Sequence, residues 1–281
     1  VATLEPMPLP DGVAGLVQRL ARLDGVRGVL LGGSRAQGGA EPDSDYDLYV
    51  YQDRPIDLAA RRALAAELFA ECEVNNQFWE TEDDGYLRQG RIAVDIVYRD
   101  LEFVAGNLYA KLERFEADVG YTTCIWGNFC GSRILFDRDG VIASLQQRYS
   151  RRYPPELKRN IIRKNYPLLK EQIPAYYHQI AKALGRGDAV SVNHRTAAFF
   201  ASYFDILFAL NEMAHPGEKR LLRTVREQCA KVPEHCEADV LAVLGHSGRC
   251  DPAILPALDG LIGHLDDLLR LEGSGAGAGA D

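Results

Sequence analysis

VLLGGSRAQGGAEPDSDYDLYVY, residues 29–51, reads as an apolar strand, a glycine turn, a polar loop and a second strand that begins with two carboxylates, Asp45 and Asp47. Valine, leucine and tyrosine suit a half-buried pleated surface, and the glycine pair lets the chain turn where the first strand ends. In a strand, residues i and i+2 share one face and lie about 7 Å apart along the chain. Asp45 and Asp47 therefore project together, followed by Tyr49 and Tyr51, while Tyr46, Leu48 and Val50 take the opposite face and bury. One strand can thus hold a core with one face and present chemistry with the other.

Outward from this stretch, the pattern alternates. DGVAGLVQRLARL, residues 11–23, spaces Val13, Leu16, Val17, Leu20 and Leu23 as an amphipathic helix, and DLAARRALAAELFAE predicts a helix with Asp57 as its N-cap. CEVNNQFW and GRIAVDIVYRD are further strand candidates, and LEFVAGNLYAKLERFEA is a helix. In GYTTCIWGNFCGSRILFDRDG the middle could be helical, with RILFD a short strand before the Asp139–Gly140 turn. From about Pro154 the segments carry helical periodicity, broken by proline and glycine. The expected class is α+β: a mixed-sheet domain over residues 1–150, an all-helical bundle over 151–272 joined through RRYPPE, and a disordered low-complexity tail over 273–281.

With 47% hydrophobic and 26% charged residues, the 281-residue chain has the balance of a soluble globular protein. No apolar run approaches the roughly 18 residues of a membrane span, and VATLEPMPLPDG lacks the basic and apolar regions of a signal peptide, so a cytoplasmic location is expected. The six cysteines are dispersed without a C-x-x-C pair, which predicts buried, reduced thiols rather than a zinc site or a disulfide framework. A formal charge of −8 argues against a nucleic-acid partner, because phosphate contacts need clustered lysine and arginine. The same charge would help gather a cationic small molecule.

Two ionised carboxylates this close repel each other, and a hard divalent cation relieves that repulsion. Mg²⁺ held by one or two carboxylates together with substrate phosphates is the natural candidate. Asp95, inside the apolar run Ile92–Val97, is expensive to bury unpaired and must be either salt-bridged or a ligand; the pair upstream favours the ligand. GGS after a strand allows close approach of backbone N–H groups to an anion, with the Ser34 hydroxyl and the Arg35 charge as further phosphate contacts. The Walker and G-x-G-x-x-G patterns are both missing.

Taken together, GGSRAQG, ten intervening residues between Ser34 and Asp45, SDYDLYVY and a later VDIVY resemble the nucleotidyltransferase superfamily of the polymerase β type, whose pattern is matched at Gly32, Gly33, Ser34, Asp45, Asp47 and Asp95. With the helical second half, the chain looks most like bacterial two-domain proteins that include the aminoglycoside and lincosamide adenylyltransferases. The resemblance implies that Asp45 and Asp47 hold two Mg²⁺ ions on a nucleoside triphosphate, most simply ATP, and that Gly33 and Ser34 bind its β- and γ-phosphates. Asp95 would complete the metal site nearest the acceptor, whose hydroxyl attacks the α-phosphorus and expels pyrophosphate.

In such enzymes the acceptor belongs mainly to the helical half. There FDILFALNEMAHPGEKR gathers polar groups around a proline–glycine break: Glu212 could be a general base or bind a cationic acceptor, and Lys219 could pair with a phosphate. The bland alternative is that Glu212 is a salt-bridged helix end and His215 a cap. His178, His194 and His264 read as structural, and Phe78 and Trp79, beside Glu80, Glu82, Asp83 and Asp84, read as a solvated loop with a core tryptophan, or else as an acidic, aromatic lip for a cationic acceptor or a surface on which adenine stacks. The first reading is transfer of AMP to a small, cationic antibiotic-like molecule, which would make the protein a resistance enzyme; a protein-modifying, antitoxin-like transferase and a non-catalytic nucleotide-binding regulator are the alternatives. A homodimer stays open.

Overall fold

The computed structural model describes residues 8–36, 44–78 and 80–273. The expected tail, apart from Gly273, and Trp79 lie outside the described residues, as does the side chain of Ser34. The elements in chain order are α1 (Asp11–Leu20), β1 (Val26–Leu31), α2 (Gly33–Ala36), β2 (Tyr46–Gln52), α3 (Leu58–Leu68), β3 (Phe69–Asn76), β4 (Thr81–Leu87), β5 (Ala93–Asp100), α4 (Leu101–Leu112), α5 (Cys124–Gly131), β6 (Arg133–Asp137) and α6 (Val141–Tyr149). Then come α7 (Pro155–Leu169), α8 (Tyr176–Gly185), α9 (Ala189–Leu210), α10 (Leu221–Gln228), α11 (Cys236–Ser247) and α12 (Ile254–Leu271). The class is α+β. Packing divides the chain into two units, residues 1–108 with 128–151, and residues 109–127 with 152–281. The second unit thus takes in 109–127, a stretch that lies before the change in composition near residue 150.

The first unit is built on a six-stranded mixed sheet in the order β3-β4-β5-β2-β1-β6. Only β2 and β5 run parallel; the other neighbours are antiparallel. The alternation read in β2 holds: Tyr46, Leu48 and Val50 are buried in a cluster with Val13, Leu16 and Leu20 of α1 and Leu64 of α3. Asp57 caps α3, its carboxylate accepting the Ala59 N–H at 3.2 Å. On the other face Tyr51 is fully buried, its ring 5.3 Å from that of Phe129 in an edge-on arrangement. That end of the face is therefore core.

β4 is the departure from expectation, since TEDDGYL was read as solvated loop and is a strand paired on both sides. Its formation rests on Asp83. Buried on the core side, the Asp83 carboxylate accepts from Arg61 of α3 at 3.0 and 2.6 Å, from the Tyr98 hydroxyl at 2.7 Å and from the Asn75 N–H at 2.8 Å. Arg61 also stacks on the Tyr98 ring, 4.0 Å from its centroid. A buried carboxylate with its charge and lone pairs satisfied in this way is tolerated where an isolated one would not be.

In the second unit the described residues form helices and connections. α9 is central: from Phe199 to Leu210 every side chain but Ala201 is buried. Asp205 lies within that stretch and accepts the Thr122 N–H at 3.1 Å and its hydroxyl at 2.6 Å, while Asn165 of α7 accepts the Gly120 N–H at 2.9 Å. These bonds tie 118–122 to α7 and α9. Burial pushes the Asp205 carboxyl up to about 6. His215 is also buried; its Nδ1 accepts the Gly217 N–H at 3.1 Å, and burial pushes its pKa down to about 4. No helix among the described residues is long and apolar enough to cross a membrane.

Candidate active site

The turn between β1 and β2 is held by what it touches. The Gly32 N–H donates to the Asp47 carbonyl at 2.9 Å, which ties the end of β1 to the start of β2. Gly33 follows with φ at +60°, a left-handed conformation that disfavours a side chain, and it opens the single turn of α2. A Cβ on Gly33 would lie 1.8 Å from Asp47 Oδ2, and one on Gly32 would lie 2.3 Å from the Tyr49 ring. Glycine is required at both places because the site-facing side chains of β2 rest on this backbone.

Strand register then assembles the acids. Asp47 of β2 pairs with Asp95 of β5, and Asp95 pairs in turn with Asp84 of β4. Residues directly opposite each other share a face, and adjacent strands are about 4.8 Å apart, so the three form one row across the sheet. Asp45, exposed, precedes β2 on the same side, and Glu82 stands two residues before Asp84 on β4. Burial, and then the charges of Asp84, Asp45, Asp47 and Glu82, push the Asp95 carboxyl up to about 6. Glu82 is raised by burial and by Asp84 and Glu80. Asp84 Oδ2 accepts from Asn76 Nδ2 at 2.9 Å, whereas its Oδ1 is buried without a hydrogen-bond partner.

Among the described residues, no three His, Cys, Asp or Glu groups come close enough together to hold one metal ion. The donor set nevertheless suits a hard cation in kind: it is made of carboxylate oxygens, the others raise the proton affinity of Asp95, and one buried oxygen has no donor.

The far end of the same face is cationic but neutralised. Arg99, four residues after Asp95, donates to Glu80 at 2.7 and 2.6 Å and to Asn128 Oδ1 at 3.0 Å, and it lies 4.5 Å from the Tyr49 ring centroid. Arg99 was missed in the sequence, and Glu82 and Asp84 were read there only as part of an acidic loop or lip. The i, i+2 spacing of Glu82 and Asp84, the same as that of Asp45 and Asp47, was the available signal.

The remaining expected residues have the following surroundings. Arg35 donates from Nε to the Ser44 carbonyl at 2.8 Å and the Asp45 carbonyl at 3.1 Å, and its guanidinium lies 4.1 Å from the Tyr46 ring centroid. It fastens the chain just before β2 and so positions Asp45. Glu212 belongs to the second unit, in a left-handed conformation after α9, with an oxygen 3.5 Å from Lys158 Nζ. Lys219, also in the second unit, is exposed.

Residues 13–100 match a family described as the nucleotidyltransferase domain, and residues 128–221 match a domain family of unknown function, DUF4037. No curated protein matches the chain. Among solved structures, the chain is similar to a nucleotidyltransferase-like protein from Exiguobacterium sibiricum 255-15, with a TM-score of 0.41, 11% sequence identity, and coverage of 92% of this chain and 79% of that one.

Proposed function

Since the chain belongs, through residues 13–100, to the nucleotidyltransferase superfamily, we propose that it transfers a nucleoside monophosphate, most simply AMP from ATP, to a hydroxyl of a small cationic molecule of the aminoglycoside or lincosamide type. The observation that carries this reading is the register that sets Asp95 beside Asp47, next to a glycine turn shaped around the Asp47 carboxylate. Asp45, Asp47 and Asp95 would hold Mg²⁺, which when bound neutralises triphosphate charge and acidifies the acceptor hydroxyl.

The chain's own groups do the rest. Gly33 leaves room for the Asp47 carboxylate and the Arg35 clamp fixes the backbone of Asp45, so both acids are positioned before substrate arrives. The acceptor oxygen bonds to the α-phosphorus as the bond to the β-phosphate oxygen breaks, and pyrophosphate leaves. Asp95, set beside Asp47 by the strand register, is the group that receives the hydroxyl proton. A row of acids also favours an acceptor that carries amines.

The test is label transfer from radiolabelled ATP with Mg²⁺ to a panel of aminoglycosides, lincosamides and candidate proteins. Transfer or pyrophosphate release that disappears in Asp47→Ala is the expected result. ATP binding with no transfer to any acceptor would overturn the reading in favour of a regulatory module, and transfer to a protein alone would replace the small-molecule acceptor.

A further inference from the structure

Asp84 holds a place that the three-acid reading does not use. It stands one strand beyond Asp95, on the side away from Asp47, because β4 pairs with β5 and β5 with β2. Its strand is fixed from the opposite face, where Asp83 is held by Arg61, Tyr98 and Asn75. Its own carboxylate is oriented by Asn76 through Oδ2, so the direction of Oδ1 is set as well.

That Oδ1 is buried and has no hydrogen-bond donor. A buried acceptor is ordinarily satisfied, and each exception asks for a reason. Among the described residues no lysine, arginine or histidine pairs with Asp84; Arg61 is taken by Asp83 on the other face and Arg99 by Glu80. Asp83 has a cationic partner in Arg61, whereas Asp84 has only the Asn76 amide on its other oxygen. The register instead puts a second acid, Asp95, directly beside it. A cation bound against both would supply the partner that this oxygen lacks.

Resting on the nucleotidyl-transfer reading above, we propose that Asp84 is a fourth cation-binding residue of this site, its Oδ1 receiving positive charge on the side of Asp95 away from Asp47. The cation is either a divalent metal or an ammonium group of the acceptor; both are recognised by the same oxygen.

Two probes separate the sources: Mn²⁺, followed by its electron paramagnetic resonance signal, and 1,3-diaminopropane, followed by calorimetry. The full chain is compared with Asp84→Asn, Asp84→Ser and Asp47→Ala, each checked by circular dichroism. Loss of Mn²⁺ affinity of threefold or more in both Asp84 variants supports the metal source. Unchanged Mn²⁺ affinity with threefold weaker diamine binding supports the ammonium source. Thermal unfolding in chelator adds a readout that a structural acid would move the other way: both Asp84 variants are expected to melt no lower than the parent, since repulsion is removed. Variants that keep both affinities, or that melt well below the parent, overturn the proposal. Should the parent and Asp47→Ala bind Mn²⁺ equally, the metal part of the functional reading fails, whatever Asp84 does.

Discussion

Gly33→Ala is the most direct perturbation of the site, because it adds one carbon and no chemistry. Two effects follow from the geometry. The residue must keep φ at +60°, which costs an L-residue about 1–2 kcal/mol. The new Cβ would lie 1.8 Å from Asp47 Oδ2, and contacts under 3.0 Å essentially do not occur, so the carboxylate must retreat by more than an ångström. Misplacement of a catalytic group by about 1 Å can lower a rate by roughly 100-fold, whereas the backbone strain alone shifts the melting temperature only a few degrees. The expected result is about 100-fold slower label transfer from ATP, weaker Mn²⁺ binding and a melting temperature lowered by no more than about 8 °C. In an Asp47→Ala background the same substitution should weaken Mn²⁺ binding no further, because the group it displaces is gone. A Gly33→Ala protein that transfers label and binds Mn²⁺ like the parent would refute the claim that this glycine exists to seat Asp47.

Three other outcomes are expected. Asp83→Asn leaves Arg61 buried without its counter-charge and should lower stability by about 3–5 kcal/mol in urea unfolding. Asp205→Asn should flatten the pH dependence that this carboxyl gives the parent: the folded pKa of about 6 lies above the ordinary 3.8, so the group favours the fold below pH 4 and that contribution is lost as pH rises through 6. The parent then carries a penalty of about 3 kcal/mol at neutral pH, and Asp205→Asn should unfold at higher urea there and lose the advantage near pH 4. His215, with its pKa pushed down to about 4, titrates with the opposite sign, its stabilising contribution lost as pH falls below 6.5; His215→Gln should retain more stability at pH 4.5, relative to pH 7, than the parent does.

How far the sequence could be read depends on how local each cause is. Asp45 and Asp47 were legible because strand alternation is set within the strand itself, and the buried partners Tyr46, Leu48 and Val50 confirm it. Asp95 was legible as a charge in an apolar run. Tyr51 lies on the face expected for it, but its burial was not legible, since the residue that covers it, Phe129, is far along the chain. The stacking of Arg35 on Tyr46 was not legible, because it depends on a loop geometry that spacing does not specify. The segment 109–127 packs with the second unit because of hydrogen bonds from Thr122 to Asp205 and from Gly120 to Asn165, which no periodicity in that segment announces. β4 was the largest omission, as TEDDGYL has few strand formers and its support, Arg61, comes from a helix two elements earlier.

That omission points to one more prediction, about what specifies register. A strand slipped by one residue sends every side chain to the other face, and in β4 the apolar pattern that usually prevents this is confined to Leu87. Two features remain to fix the alignment. Gly85 permits close approach, since a Cβ there would lie 2.2 Å from the Glu71 carbonyl oxygen, and the buried Arg61–Asp83 pair holds one alternation inward. Replacing such a pair by apolar residues of similar volume is often neutral or stabilising by about 1–4 kcal/mol. Arg61→Met with Asp83→Leu should therefore keep the global stability measured in urea, yet loosen the alignment that sets Asp84 opposite Asp95. The readouts are faster amide hydrogen exchange in β4 and weaker binding of Mn²⁺ or of 1,3-diaminopropane. If the double variant retains both cation affinities and slow exchange in β4, the ion pair contributes stability alone, and the placing of the acids must come from the glycine and the neighbouring strands.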